Sequence, residues 1–245
     1  MARQRSSEER ERGAADVAHE PEGRRERKKR QTRQRLSDIA TGLILERGFH
    51  QVTIAEIAEA ADVSVNTVYN YFPSKEDLFF DRAEEMVDRP SRLVRERSHG
   101  QSAADAVLGQ LRADIGERAV YAGMMEGFDR FMQRIHEAPS LMARLFLMQQ
   151  HTADRLARTL RAETGAEADD PVPELVASQL VEIANLVFRD ATRALDGGGR
   201  PADVERAARA KLDAFESLTS PRLLRYATRG ETGAEAGAET PGDGG

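Results

Sequence analysis

Residues 53–76 constrain the fold more than any other stretch, because three helix starts follow one another there at short intervals. The three predicted helix-capping residues are Thr53, Ser64 and Ser74. Glu56 stands three residues after Thr53, which is the spacing of a capping box. Only residues 61–63 separate the first two helices, so these helices must cross steeply. The segment therefore predicts a helix-turn-helix, a motif that places one short helix in the DNA major groove.

The helix after Ser64 is the predicted reading helix. At about 100° per residue, Val65, Val68 and Phe72 fall on one side, toward the core, and Asn66 and Asn70 point away from it. The residues that flank the two asparagines are Thr67, Tyr69 and Tyr71. Asparagine pairs with the N6 and N7 atoms of adenine, and hydroxyl groups donate to phosphate oxygens. The outward face is therefore predicted to contact DNA.

The charge of the chain is unevenly distributed. The net charge is −6, which argues mildly against nucleic acid, but residues 24–80 carry ten basic and eight acidic side chains, whereas residues 81–245 carry 22 and 28. A basic run over residues 24–35 includes the four candidate DNA-backbone or minor-groove contacts, Arg27, Lys28, Lys29 and Arg30. A merely solvated tail is the other reading of this run. Lys75 lies in a first helical turn, where the helix dipole disfavours a cation, and a phosphate resting there would explain it.

Several classes of function have no support in the sequence. There is no Cys, the His residues show no ligand spacing, and no nucleophile elbow or phosphate loop occurs, so we expect no metal, no cofactor and no enzymatic activity. No apolar run approaches the ~20 residues of a membrane helix. We expect a cytoplasmic protein without membrane contact. Residues 1–23 and 229–245 are predicted to be disordered tails.

Helical spacing without strand alternation predicts an all-α protein of about nine helices. The fourth helix is expected to end or kink before Pro90, and another helix is expected over residues 118–136. The last two helices are predicted near residues 174–195 and 202–226.

The pattern from Thr53 to Leu78 resembles the N-terminal domain of TetR-type bacterial regulators. It reads Thr-Ile-x-x-Ile-Ala-x-x-Ala-x-Val-Ser-x-x-Thr-x-Tyr-x-Tyr-Phe-x-Ser-Lys-Glu-x-Leu. The likeness covers about residues 33–80, and one departure is Asn66, where many members carry glycine. The resemblance implies an N-terminal three-helix DNA-binding domain, residues 24–80, followed by a ligand-binding and dimerisation domain, residues 81–228.

The resemblance also assigns roles to individual residues. It implies DNA-backbone contacts by Thr53, Thr67, Tyr69, Tyr71 and Lys75, and it brings Val65, Asn66 and Asn70 close to bases. Together with Ser64, these are the candidate DNA-binding residues. Ligand binding is expected to tilt the helix that begins near Ser74. A weaker likeness to a subgroup with acyl-CoA-like ligand domains rests on residues 72–80 and 101–107.

Two further residue sets are predicted in the second domain. Candidate residues of an apolar effector pocket are Met86, Met124, Phe128, Phe131, Met132 and Phe146. Candidate residues of a homodimer interface are Leu180, Ile183, Val187, Val204, Ala208 and Phe215. For both sets, packing inside the monomer core is the alternative.

These features predict a ligand-responsive DNA-binding regulator that represses transcription. It would bind a palindromic operator as a homodimer and leave it on binding a small effector, acyl-CoA-like or otherwise lipophilic. The alternative is a ligand-sensing interaction protein whose helix-turn-helix no longer binds DNA.

Overall fold

The computed structural model describes residues 23–125 and 127–230. These residues form eleven α-helices and no strand, which confirms the all-α prediction. In chain order the helices are α1 (Arg24–Arg47), α2 (Ile54–Ala60), α3 (Val65–Tyr71), α4 (Lys75–Phe79), α5 (Ala83–Glu96), α6 (Ala103–Gly116), α7 (Phe128–Glu137), α8 (Pro139–Thr164), α9 (Val172–Asp196), α10 (Pro201–Leu218) and α11 (Pro221–Leu224). Short 3-10 turns occur at Phe49–Gln51 and Val120–Ala122.

The three helix starts predicted in residues 53–76 are confirmed. Thr53 and Glu56 form a complete capping box, in which the Thr53 hydroxyl accepts from the Glu56 N–H and the Glu56 carboxylate accepts from the Thr53 N–H. The hydroxyls of Ser64 and Ser74 each accept from the backbone N–H three residues later. Asp62 turns the chain between α2 and α3 with a φ of 52°. These local bonds fix the helix-turn-helix.

The region around Pro90 differs from the prediction. The expected fourth helix is divided into α4 and α5, and α5 continues through Pro90 to Glu96 instead of ending before it. Proline removes one backbone donor from a helix. Val87 and Val94 are buried on either side of Pro90, and their packing holds the helix across the missing hydrogen bond.

Two other predicted helices are also wrong in extent. Residues 118–136 do not form one helix, because Gly123 and Gly127 adopt φ angles of 70° and 78° and α7 begins only at Phe128. The helix predicted near residues 202–226 ends at Leu218, and α11 follows separately.

Buried apolar side chains form two clusters. One fills the space among α6, α8, α9 and α10. The other fills the helix-turn-helix and continues into the second half of the chain, where its members are Phe128, Met132, Ile135, Ala138, Leu141 and Met148. The helix-turn-helix therefore shares its core with α7 and the first half of α8.

The residues predicted to form a dimer interface lie inside a single chain. Leu180, Ile183, Val187, Val204 and Ala208 are between 0% and 6% exposed, and Phe215 is half-buried against the same cluster. The apolar stripes of α9 and α10 pack against each other and against α6 and α8. Packing inside the monomer core, the alternative given for this set, therefore accounts for these side chains in the single chain, and their role in a dimer stays a prediction.

The chain remains packed up to its last described residues. Arg229, which the sequence assigns to the C-terminal tail, donates to the carbonyl oxygens of Arg95 and Arg97 at 3.0 and 2.7 Å. The predicted tails otherwise lie outside the described residues, apart from Gly23 and Gly230. Within the described ranges, no helix is long and apolar enough to cross a membrane.

Candidate nucleic-acid interface

The reading helix α3 is anchored on one side and open on the other. Val68 and Phe72 are 0% and 1% exposed, whereas Asn66 and Asn70 are both exposed, as the sequence predicts. Tyr69, between the two asparagines, is 51% exposed. The expectation from helical spacing that Val65 faces the core is wrong. Val65 is the first residue of α3, lies beyond the edge of the core and is 40% exposed.

The hydroxyl groups near the helix starts already hold local structure. The hydroxyls of Ser64 and Thr67 lie 2.8 Å apart, and the Thr67 N–H donates to Ser64. The Thr53 hydroxyl donates to the carboxylate of Glu56 at 2.8 Å. Arg47 also binds this carboxylate, at 2.5 Å, and these contacts lower the pKa of Glu56 from 4.5 to about 2. The Glu56 carboxylate is thus ionised, and the positive charge of Arg47 balances its negative charge.

The side chain of Lys75 is held by hydrogen bonds within its own domain. Its ammonium donates to the carbonyl oxygens of Phe49 and Val52 at 2.6 and 2.7 Å, and it lies 4.2 Å from the centroid of the Phe49 ring. Burial lowers its pKa. The phosphate contact that the sequence predicts for this side chain must therefore compete with two internal hydrogen bonds.

Arg33 positions the end of the reading helix. It donates to the carbonyl oxygen of Tyr71 at 2.7 Å, and its Nε lies 2.7 Å from the Asp81 carboxylate. Its guanidinium group lies 4.1 Å from the centroid of the Phe72 ring. Burial raises the pKa of Asp81, and the charge of Arg33 opposes that rise. Sequence reasoning missed this role, because Arg33 stands within the basic run and no local pattern distinguishes it from its neighbours.

The candidate backbone contacts Arg27, Lys28, Lys29 and Arg30 are exposed in the first two turns of α1. They lie on a helix, not on an extended minor-groove arm. Leu36 is the first buried residue of α1, and the turns before it lie on the surface. We call residues 24–30 the helical overhang.

A cleft of about 540 Å³ lies among α7, α8 and α9. Of the predicted pocket residues, Met132 and Phe146 line it. Met124 lines a separate cleft of about 460 Å³. Met86, Phe128 and Phe131 pack in the core that α7 shares with the helix-turn-helix, which is the alternative given for this set.

The cleft is lined by both apolar and polar side chains. Met142, Leu145 and Phe188 join Met132 and Phe146 in the apolar part of the lining. Polar lining residues that helical spacing did not identify are Asp129, Gln133, His136, Glu182, Asn185 and Arg189. The described part of the chain holds no cluster of three or more His, Asp or Glu side chains that could bind a metal ion.

An exposed reading helix in a helix-turn-helix, joined to a helical region with a cleft, defines a helix-turn-helix transcriptional regulator. Residues 36–81 match the family model for bacterial regulatory proteins of the tetR family. Residues 36–81 are therefore a TetR-family DNA-binding domain, and the chain as a whole is similar to TetR-family transcriptional regulators.

Relatives extend the match beyond the N-terminal segment. The transcriptional regulator TcmR of Streptomyces glaucescens is 29% identical over 174 residues, which are 69% of this chain and 76% of TcmR. The transcriptional repressor KstR of Mycolicibacterium smegmatis is 36% identical over 67 residues, which are 24% of this chain and 33% of KstR. The structure of NalD, the secondary repressor of a multidrug efflux pump in Pseudomonas aeruginosa, aligns with a TM-score of 0.52 at 16% identity over 77% of this chain and 96% of NalD. This last likeness concerns the fold alone.

Proposed function

We propose that the protein is a cytoplasmic repressor that binds a palindromic operator as a homodimer and leaves it when a small, largely apolar effector binds. The observation that carries the proposal is the exposed face of α3, with Asn66 and Asn70 in the open and Val68 buried behind them. KstR, to which the chain is similar over 67 residues, is a repressor.

Asn66 and Asn70 are the proposed base-reading residues. They lie one helical turn apart on a short helix whose two ends are fixed, by the Ser64 cap and by Arg33. A side chain amide on a rigid helix can form two hydrogen bonds with one adenine edge. Val65 and Tyr69 lie beside them and would contact a thymine methyl group and a phosphate.

The helical overhang is the proposed source of phosphate contacts. The side chains of Arg27, Lys28 and Lys29 in it are exposed, whereas Lys75 and Arg33 are engaged inside the domain. Each phosphate that a protein neutralises contributes about −0.9 to the slope of log affinity against log salt.

The dimer would use the outward faces of α9 and α10, because their inward faces fill the monomer core. Leu175 on α9 is 57% exposed and Leu218 on α10 is 87% exposed. Ala207, Ala210 and Ala214 are also exposed along α10 and would allow close helix approach. A two-fold dimer would place its reading helices about 34–36 Å apart on a palindrome.

The cleft among α7, α8 and α9 is the proposed effector site. Its apolar lining suits an acyl-CoA-like or otherwise lipophilic molecule, and its volume is within the range of ligand pockets, about 300–1,000 Å³. Arg189 also lines the cleft and is 53% exposed at its side chain, so it is accessible to an anionic head group.

Fluorescence anisotropy with DNA fragments from the region upstream of the gene tests the proposal. We expect specific binding by the wild type, and a loss of about 1–3 kcal/mol with relaxed base preference in Asn66→Ala and Asn70→Ala. Gln150→Ala, which removes an exposed amide in α8 outside the lining of the cleft, is the control and should bind like the wild type. Wild-type binding no better than to scrambled DNA would favour the alternative of an interaction protein.

A further inference from the structure

We propose that four phenylalanine rings, Phe188, Phe128, Phe131 and Phe79, couple the cleft to the reading helix. We call them the aromatic chain. The inference rests on the proposed function, because it assigns a route by which an effector in the cleft changes the DNA-binding domain. Phe131 is its central positioning residue.

The rings form a continuous series of contacts. Phe188 meets Phe128 edge to face, with centroids 5.6 Å apart and planes at 80°. Phe128 stacks on Phe131 at 5.3 Å and 21°, and Phe131 stacks on Phe79 at 4.3 Å and 7°. The series therefore runs from α9 through α7 to α4.

One end of the aromatic chain lies at the cleft, and the other lies in the helix next to the reading helix. Phe188 lines the cleft and is only partly buried. Phe79 is 4% exposed in α4, and the same helix is bonded to α1 through the Ser37 hydroxyl, which donates to the carbonyl oxygen of Leu78. Residues 72–74 join α4 directly to the reading helix. A shift of Phe79 would thus move α4 and, through residues 72–74, the reading helix α3.

The near-parallel stack of Phe131 on Phe79 transmits a displacement, because close-packed rings cannot tilt independently. Two other contacts also hold the helix-turn-helix to α7 and α8. Arg134 donates to the carbonyl oxygen of Leu45, and Arg144 pairs with Asp77 at 2.8 Å. Neither arginine lines the cleft, so neither would contact a ligand there directly.

The test uses the whole protein without DNA or effector. Hydrogen exchange of the α4 amides is measured in the wild type, in Phe188→Leu, in Phe131→Leu and in the double variant. Among the described residues, the ring contacts connect Phe188 to Phe131 through the ring of Phe128. If Phe188 and Phe131 acted on α4 independently, the effects of their two substitutions would add, whereas substitutions along one route would not. We expect Phe188→Leu to raise α4 exchange by about threefold or more, and by less than about twofold when Phe131 is already leucine.

The matched control is Phe215→Leu, another half-buried phenylalanine, which packs in the core cluster outside the aromatic chain. In its background the full effect of Phe188→Leu should persist. Phe188→Met, whose flexible side chain can fill an irregular gap, is measured in parallel, and circular dichroism verifies folding of every variant.

Wild-type exchange of α4 in both Phe188 variants, or full additivity with Phe131→Leu, would overturn the proposal. If Phe188→Leu misfolds, the exchange measured in Phe188→Met decides. Operator binding is measured separately. A wild type that binds no specific DNA but shows non-additive α4 exchange would retain the coupling and lose the repressor function.

Discussion

Lys75→Met separates two roles for a lysine that the sequence assigns to the DNA backbone. In the structure the ammonium donates two hydrogen bonds, to Phe49 and Val52, and methionine leaves both carbonyl oxygens without this donor. Hydrogen bonds to charged groups contribute about 1.5–3 kcal/mol each. Because the side chain is only half-buried, water can replace part of that contribution. We expect a net loss of about 2–3 kcal/mol, or roughly 4–12 °C in Tm.

The assay pairs thermal unfolding of the free protein with the salt dependence of operator binding. Lys28→Met, in the helical overhang, is the crossed control, because the Lys28 side chain is exposed. Lys75→Met should lower Tm and leave the salt slope unchanged, whereas Lys28→Met should leave Tm unchanged and reduce the slope by about 0.9. An unchanged Tm in Lys75→Met together with a reduced slope would show that Lys75 binds phosphate and would refute its role in internal hydrogen bonding.

Three further predictions concern charge and burial. Asp114→Ala should cost about 3–5 kcal/mol in urea unfolding, because it leaves Arg89, its partner at 2.7 Å, with a buried unpaired charge; a cost below about 1 kcal/mol would contradict this. Glu56 has its pKa lowered from 4.5 to about 2, so its contribution to stability is present above the higher value and lost as the pH falls toward the lower one. The difference in Tm between wild type and Glu56→Gln should therefore shrink from pH 7 to acid, and a constant difference would argue against the pairing. Arg27→Ala should reduce the salt slope by about 0.9, and Arg222→Ala, an exposed arginine distant from α3, should not.

The helix-turn-helix could be predicted because its determinants are local. A cap such as Thr53 with Glu56 acts within one turn, and the outward direction of Asn66 and Asn70 follows from the helical period once the start at Ser64 is known. The same reasoning failed for Val65. Helical period defines a side of the helix, but it does not define how far along the helix the core extends.

The second region could be predicted only as helical. An apolar stripe such as the one through Leu180 and Val187 indicates burial, and it does not distinguish the chain's own core from a partner. The pocket residues show the same ambiguity. Phe131 and Phe146 read alike in sequence, but one stacks in the core and the other is 59% exposed beside the cleft. Tertiary packing decides between the two.

The positions of the charges explain how an acidic chain can bind DNA. Four basic side chains of the DNA-binding domain are each bonded to a carbonyl oxygen or a carboxylate of that domain. They belong to Arg33, Arg35, Arg47 and Lys75. These side chains help to hold α3 in position, and they contribute little to the positive electrostatic potential outside the protein. Phosphate attraction would then depend on the helical overhang, while specificity depends on a face of α3 that carries no charge. Because the two properties reside on separate helices, salt should change the affinity of the protein for all DNA without changing its choice of sequence.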